Sequence, residues 1–298
     1  MSLALPARAK LNLDLEVLSR RPDGFHDLRT TVQLIDLHDV LVVDESKDTQ
    51  LTISGSPQSL ASLGPLGSLG TPGLSGLSEP APPGPSGLSG LSGPSRSALQ
   101  HNDNSVLKAH AALERATNRS LPASFHLHKR IPPGSGMGGA SSDAAATLKA
   151  LKILFALRDV DLQPIAEALG SDVPFFLAGG RAILEGRGER ITRLPSPHMC
   201  FAVAWPGIEL STRSVYAAWD ETKGAGLRRA AERVEPRLKD FATHLGDGWR
   251  MTGSGSAFFK QTATRHEAEQ AITGLECWRV VAQSVTQTQT QPQTQPPR

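Results

Sequence analysis

The chain has 298 residues, a net charge of +2 and two cysteines, which is room for one large domain or two ordinary ones. Lysines and arginines are scattered, so charge makes no case for a nucleic-acid partner or an anionic membrane, and no run of about 18 apolar residues could span a bilayer. Cys200 and Cys277 stand far apart in apolar stretches, as expected of buried thiols in a reducing compartment; with no leader expected before the first strand, the expected localisation is cytoplasmic.

Residues 7–17 alternate, with Ala9, Leu11, Leu13, Leu15 and Val17 on one face and Arg8, Lys10, Asn12, Asp14 and Glu16 on the other, the period of a half-buried strand. Arg21-Pro-Asp-Gly-Phe-His26 is a turn, and strands are expected near 30–35, 39–44 and 50–54. Residues 55–97 are almost wholly Gly, Pro, Ser and Leu, and 284–298 are Thr-Gln repeats. Neither has a helical or strand period, so both are expected to be disordered, the first as an insertion in a surface loop. Asp103 or Asn104 can cap a helix running to about residue 117, and a strand over 124–129 follows. His126 and His128 share one face of that strand, but the sequence places no third metal ligand beside them.

Pro132-Pro-Gly-Ser-Gly-Met-Gly-Gly-Ala-Ser-Ser-Asp143 then runs into an alanine-rich helix. Pro133, Gly134, Ser135, Gly136, Met137, Gly138, Gly139, Ala140, Ser141 and Ser142 form a glycine-rich loop opening a helix. Exposed amides at a helix start carry partial positive charge and suit phosphates; a tight turn needed for packing alone is the alternative. No Gly-Lys-Ser/Thr follows, so the loop is not a Walker A sequence. A hydroxyl such as that of Ser142 offers a hard oxygen to Mg²⁺.

A further helix is expected over 162–169. Gly170-Ser-Asp-Val-Pro174 is a second loop-to-helix junction, at which Asp172 is either an N-cap ahead of Pro174 or a carboxylate held at the helix mouth. Strands near 180–186 and 199–205, helices near 212–219, 227–244 and 264–273, a short strand over 257–260 and a strand over 277–283 complete the chain. Thr252-Gly-Ser-Gly-Ser256 is another glycine loop. A break at Leu194-Pro-Ser-Pro197 divides the whole into two α+β domains, 1–193 and 194–283, with a cleft between them.

Taken together these segments resemble the GHMP kinase superfamily. The match is carried by the loop from Pro133, by Ala9-Lys-Leu-Asn-Leu13, Arg21-Pro-Asp-Gly-Phe-His26, Gly170-Ser-Asp-Val-Pro174 and Thr252-Gly-Ser-Gly-Ser256, in the superfamily's order. It covers residues 4–283 apart from the insertion. The loop departs from the usual pattern at Met137 and Gly139-Ala140, and residue 25 is Phe where Tyr is commoner. The resemblance implies an N-terminal domain like ribosomal protein S5, a ferredoxin-like C-terminal domain and a site in the cleft. It implies an ATP-dependent, Mg²⁺-using small-molecule kinase acting as a monomer or weak homodimer. Lys10 and Asp172 match the catalytic pair and Asn12 a substrate contact. Phe25, His26, Thr212 and Tyr216 match a pocket for a substrate bearing a diphosphocytidyl group, with Phe25 and Tyr216 stacking on cytosine and His26 bonding it. Asn104 falls near the adenine, and Gly253, Ser254 and Gly255 form the second glycine loop. A kinase for another small alcohol, or a non-catalytic nucleotide sensor on the same scaffold, are the rival readings; a sensor is expected to lose Lys10 or Asp172.

Overall fold

The structure, a computed structural model, describes residues 2–55, 104–222 and 225–285; nearly all of the insertion and the Thr-Gln tail lie outside the described residues. Seven strands form one sheet and four the other. The larger sheet is organised by β3 (His26–Glu45), a strand of 20 residues. It pairs antiparallel with β1 (Ser2–Asn12), β2 (Glu16–Arg20), β5 (Ala123–His128) and β6 (Arg181–Gly186). β4 (Gln50–Ser54) lies parallel to β5, and β7 (Arg190–Leu194) closes the other edge on β6. Helix α2 (Gly139–Leu154) packs on this sheet, and α1 (Ser105–Thr117), α3 (Gln163–Leu169) and α4 (Val173–Ala178) pack against α2. Leu3, Leu41, Val43, Phe125, Leu148, Leu151 and Phe175 are fully buried between the layers.

The smaller sheet runs β11 (Trp278–Gln283), β8 (Cys200–Trp205), β10 (Phe258–Thr262), β9 (Arg250–Met251), all antiparallel. Helices α5 (Thr212–Glu221), α6 (Leu227–Val234) and α7 (Arg237–Leu245) lie between β8 and β9 in sequence, and α8 (Arg265–Ile272) between β10 and β11. That is the split βαβ arrangement of ferredoxin-like folds.

The two sheets meet at an irregularity in β3. Pairing with β1 jumps from Arg8–His38 to Lys10–Leu34, so Ile35–Leu37 bulge opposite Ala9, and bulges re-aim the strand that carries them. Ile35 and Leu37 join a second core with Ala9, Leu11, Phe201, Trp205 and Met137. Here the end of β11 docks: Ile35 bridges Ser284, Val285 N donates to Leu34 O at 2.9 Å, and Gln283 N donates to Asp36 Oδ1 at 2.8 Å.

Several elements differ from expectation. The first strand stops at Asn12 because Asp14 turns the chain, its carboxylate accepting from the amide and the hydroxyl of Thr31. The strands expected at 30–35 and 39–44 are one strand, since Asp36 and Asp39 are satisfied inside the fold rather than in a turn. The helix expected over 227–244 is two, broken at Glu235-Pro236, because proline lacks an N–H and disfavours helical backbone before it. β7 was not expected, being short and polar. Ser284 and Val285, expected to belong to the tail, are buried in the fold. His126 and His128 both bond the Ser54 hydroxyl, at 3.0 and 3.1 Å, and no group of three metal-ligating side chains occurs among the described residues. No helix among them is long and apolar enough to cross a membrane.

Candidate active site

β5 leads through Lys129 into the glycine loop. Ser135 is buried, its hydroxyl donating to Pro132 O at 2.6 Å, and the loop is stitched to the second half of the chain by Leu210 N to Gly134 O (3.2 Å) and Ala257 N to Ser135 O (3.0 Å). Gly136, at φ +80°, lies so close to the second glycine loop that a Cβ would sit 2.3 Å from Thr252 O. Only glycine fits both that backbone and that gap. Gly138 precedes α2 in the left-handed region, and a Cβ there would meet the Phe176 ring at 2.7 Å. Pro133–Gly136 and Gly138–Ser141 line one wall of a cleft of about 820 Å³.

Met137 and Ser142 do not line it. Met137 is buried in the second core, and its carbonyl accepts from Lys10 N at 3.0 Å, fixing β1 against the loop. Ser142 is buried in the first turn of α2.

At the floor of the cleft, the Lys10 ammonium donates to Asn12 Oδ1 and stands 3.7 Å from Asp172 Oδ2. Asn12 is held in turn, its N donating to Thr252 Oγ1 at 3.0 Å and its Nδ2 to Thr30 Oγ1 at 2.9 Å. Asp172 occupies the N-cap position of α4 but makes no capping bond. Its carboxylate is instead 38% exposed to the cleft, free to meet a ligand while paired with a buried cation. Gly253 completes the floor, because a Cβ there would lie 3.2 Å from Asn12 Oδ1 and 3.4 Å from Lys10 Nζ.

The far end is aromatic. Phe25 is half exposed, with the Arg187 guanidinium 4.7 Å from its ring centre. His26 is buried against Tyr216 at 4.9 Å and against the edge of Trp219 at 5.3 Å, and its Nε2 lies 2.8 Å from Asp220 Oδ1. Burial, helped by the charge of Asp172, pushes the Tyr216 hydroxyl up to about 12, so it stays protonated and able to donate. Thr212 opens α5 beside the second glycine loop, 3.0 Å from Ser254 Oγ. Phe25, His26, Thr212, Tyr216 and Ser254 all line the same cleft as the glycine loop.

Two more predicted residues lie outside the cleft lining. Asn104 caps α1 by accepting from Val106 N at 2.8 Å and is not among the cleft-lining residues. Gly255 is packed under Met251, where a Cβ would be 2.7 Å from its sulfur.

Sequence reasoning missed Asp220, Arg187 and Lys129. Asp220 had a signal, since it follows Tyr216 by one helical turn and so shares its face. Lys129 lines the cleft and is gripped by two buried carboxylates, Asp39 at 2.5 Å and Asp143 at 2.7 Å. Burial alone would lower this lysine, but the two carboxylates more than offset it and raise it; Asp143 is itself pushed up by burial despite Lys129. Asp39 also accepts from the amides of Arg130 and Ile131, so the group anchors the start of the loop.

A glycine loop at a helix start facing a Lys–Asp pair across a two-sheet cleft defines a small-molecule kinase of the GHMP class. Residues 104–180 match the family described as GHMP kinases N terminal domain. The chain is 32% identical to the 4-diphosphocytidyl-2-C-methyl-D-erythritol kinase of Xanthomonas euvesicatoria over 91% of its own length and 86% of that protein's. It is 28% identical to the enzyme of the same name from Caldicellulosiruptor saccharolyticus, over 92% and 93%. A crystal structure of 4-(cytidine 5'-diphospho)-2C-methyl-D-erythritol kinase superposes with a TM-score of 0.71 at 29% identity, covering 95% of this chain and 99% of that one. Homoserine kinase from Cytophaga hutchinsonii shares the fold, at a TM-score of 0.54 and 16% identity over 98% and 96%. The chain belongs to the 4-diphosphocytidyl-2-C-methyl-D-erythritol kinase family.

Proposed function

We propose that the protein transfers the γ-phosphoryl group of ATP to the 2-hydroxyl of 4-diphosphocytidyl-2-C-methyl-D-erythritol, in the non-mevalonate route to isoprenoid precursors. The observation that carries this is the Lys10–Asp172 pair, 3.7 Å apart, set in one cleft with the glycine loop and the aromatic group of Phe25, His26 and Tyr216.

The loop amides and the start of α2 hold the triphosphate. Phe25 and Tyr216 grip the cytosine, and His26 bonds its polar edge. The hydroxyl is thereby brought to the floor of the cleft, where Asp172 orients it and accepts its proton. The hydroxyl oxygen forms a bond to the γ-phosphorus while the bond to the β-phosphate oxygen breaks, its electron pair leaving with ADP. Lys10, kept in place by Asn12, stabilises the negative charge on the oxygens in transit. Phosphoryl transfer passes through a loose transition state, so positioning and charge stabilisation supply most of the acceleration.

Mg²⁺ ordinarily takes one or two protein oxygens and leaves the rest of its shell to phosphates and water. The cleft-lining Ser141 offers such an oxygen, whereas Ser142 is buried; the ion would neutralise charge on the phosphates. Every group named comes from one chain, so the reading needs no second copy, and dependence on ATP suits the cytoplasm.

Coupled ADP release tests the activity. Turnover is expected with the diphosphocytidyl substrate and not with homoserine or mevalonate; turnover with either of those alone would overturn the reading.

A further inference from the structure

Stacking alone cannot tell cytosine from uracil, because every base offers a π-face. The two differ at the edge, where cytosine has an amine donor and uracil a carbonyl acceptor. A histidine facing that edge discriminates only if its ring is fixed as donor or as acceptor, and a neutral imidazole can be either.

We propose that Asp220 fixes it, and is the positioning residue that makes His26 selective for cytosine. The inference rests on the reading of His26 as the base's partner. Asp220 Oδ1 lies 2.8 Å from His26 Nε2. An ionised carboxylate only accepts, so Nε2 carries the hydrogen and Nδ1 of the neutral ring is left as a bare acceptor. The carboxylate is itself held, with Arg20 3.5 Å from its other oxygen. Tyr216 and Trp219 pack against the ring and oppose its turning over. Asp220 belongs to α5, in the half of the chain that carries the smaller sheet, whereas His26 opens β3 in the larger sheet. The lock is therefore made only when the two halves are assembled around the cleft. An acceptor at Nδ1 takes the cytosine amine; against uracil it sets lone pair to lone pair.

Asparagine at 220 can donate as well as accept, so Asp220→Asn frees the ring to adopt either tautomer. The test compares kcat/KM for the cytidine substrate and its uridine analogue in wild type, Asp220→Asn and Asp220→Glu, with nitrogen NMR of the His26 ring in the full-length wild-type protein. Expected are a proton on Nε2 in wild type, a fall in cytidine-over-uridine selectivity of about tenfold or more in Asp220→Asn, the scale of one misdirected hydrogen bond, an unmoved KM for ATP, and partial recovery with Asp220→Glu. A wild-type proton on Nδ1 overturns the inference without any variant having to fold. Unchanged selectivity in Asp220→Asn, with His26→Ala still weakening the cytidyl substrate, overturns the role of Asp220 and leaves that of His26 standing. If His26→Ala leaves the cytidyl KM where it was, the reading of His26 fails and takes the inference with it.

Discussion

At the end of the cleft proposed for the nucleotide the surface is backbone: Gly134, Gly136 and Gly138 all take positive φ, and the amides that follow open a 16-residue helix. At the end proposed for the base it is side chain: His26, Tyr216 and Asp220, with Trp219 packed against His26, converge from positions up to 194 residues apart. The first kind of site recognises a group that many ligands share, a phosphate, and depends on shape over a dozen consecutive residues. The second, on the proposed reading, recognises one base and depends on the assembly of the two sheets. Lys10 and Asp172 line the same cleft, and in the proposed mechanism only they act on bonds.

If that division is right, the largest effect belongs to the middle. Asp172→Asn should lower kcat on the order of 10²–10⁴-fold, the usual range for a lost general base, with both KM values little changed; steady-state kinetics with full turnover would remove Asp172 from the mechanism. Next comes the backbone end. Gly136→Ala forces a methyl to within 2.3 Å of Thr252 O at φ +80°, a strain of about 3 kcal/mol. A lowered melting temperature should accompany a raised KM for ATP, since both glycine loops must move. An unaffected KM would mean that the loop does not hold the nucleotide. At the base end, His26→Ala should raise the cytidyl KM about tenfold and leave that of ATP alone; equal shifts in both would erase the contrast between the ends.

The smallest effect concerns the support beneath the loop. Lys149 in α2 donates to Phe176 O at 2.7 Å, and burial lowers it to about 8. The unfolded chain keeps that proton up to the ordinary lysine range, so between about 8 and there it binds more protons than the folded state, and stability rises with pH. Thermal melts should show Tm of wild type gaining on that of Lys149→Met as pH climbs from 8 to 10. A constant difference would mean that the lysine titrates normally.

The contrast between the ends also explains what could be read in advance. The glycine loop, proposed to hold phosphate, was legible as a cleft-lining loop at a helix start because its signal lies in consecutive residues. Asp172 was legible as either a cap or a carboxylate at the helix mouth; that it makes no capping bond and meets Lys10 from β1 appears only in the fold. Asp220 was legible only as a neighbour of Tyr216 on one helix face; its role was not, because a carboxylate on a helix is ordinarily solvated and only the docking of α5 gives it a histidine. Asn104 was read correctly as a helix cap; its placement near the adenine came from resemblance, in a stretch where the insertion blurs alignment. β3 was read as two strands because aspartates at 36 and 39 usually signal a turn, and nothing local reveals that Gln283, Arg130 and Ile131 satisfy them.

That strand carries a consequence for how such a protein can diversify. β3 begins with His26 at the base pocket and holds, at Asp39, the carboxylate that grips Lys129 beneath the phosphate loop. One extended segment thus acts as a rule with a mark near each end. Inserting or deleting a residue between the marks would turn every later side chain to the opposite face and displace one mark from the other. Ligands of a different span must therefore be accommodated by the loops around the cleft, while the rule itself keeps its length.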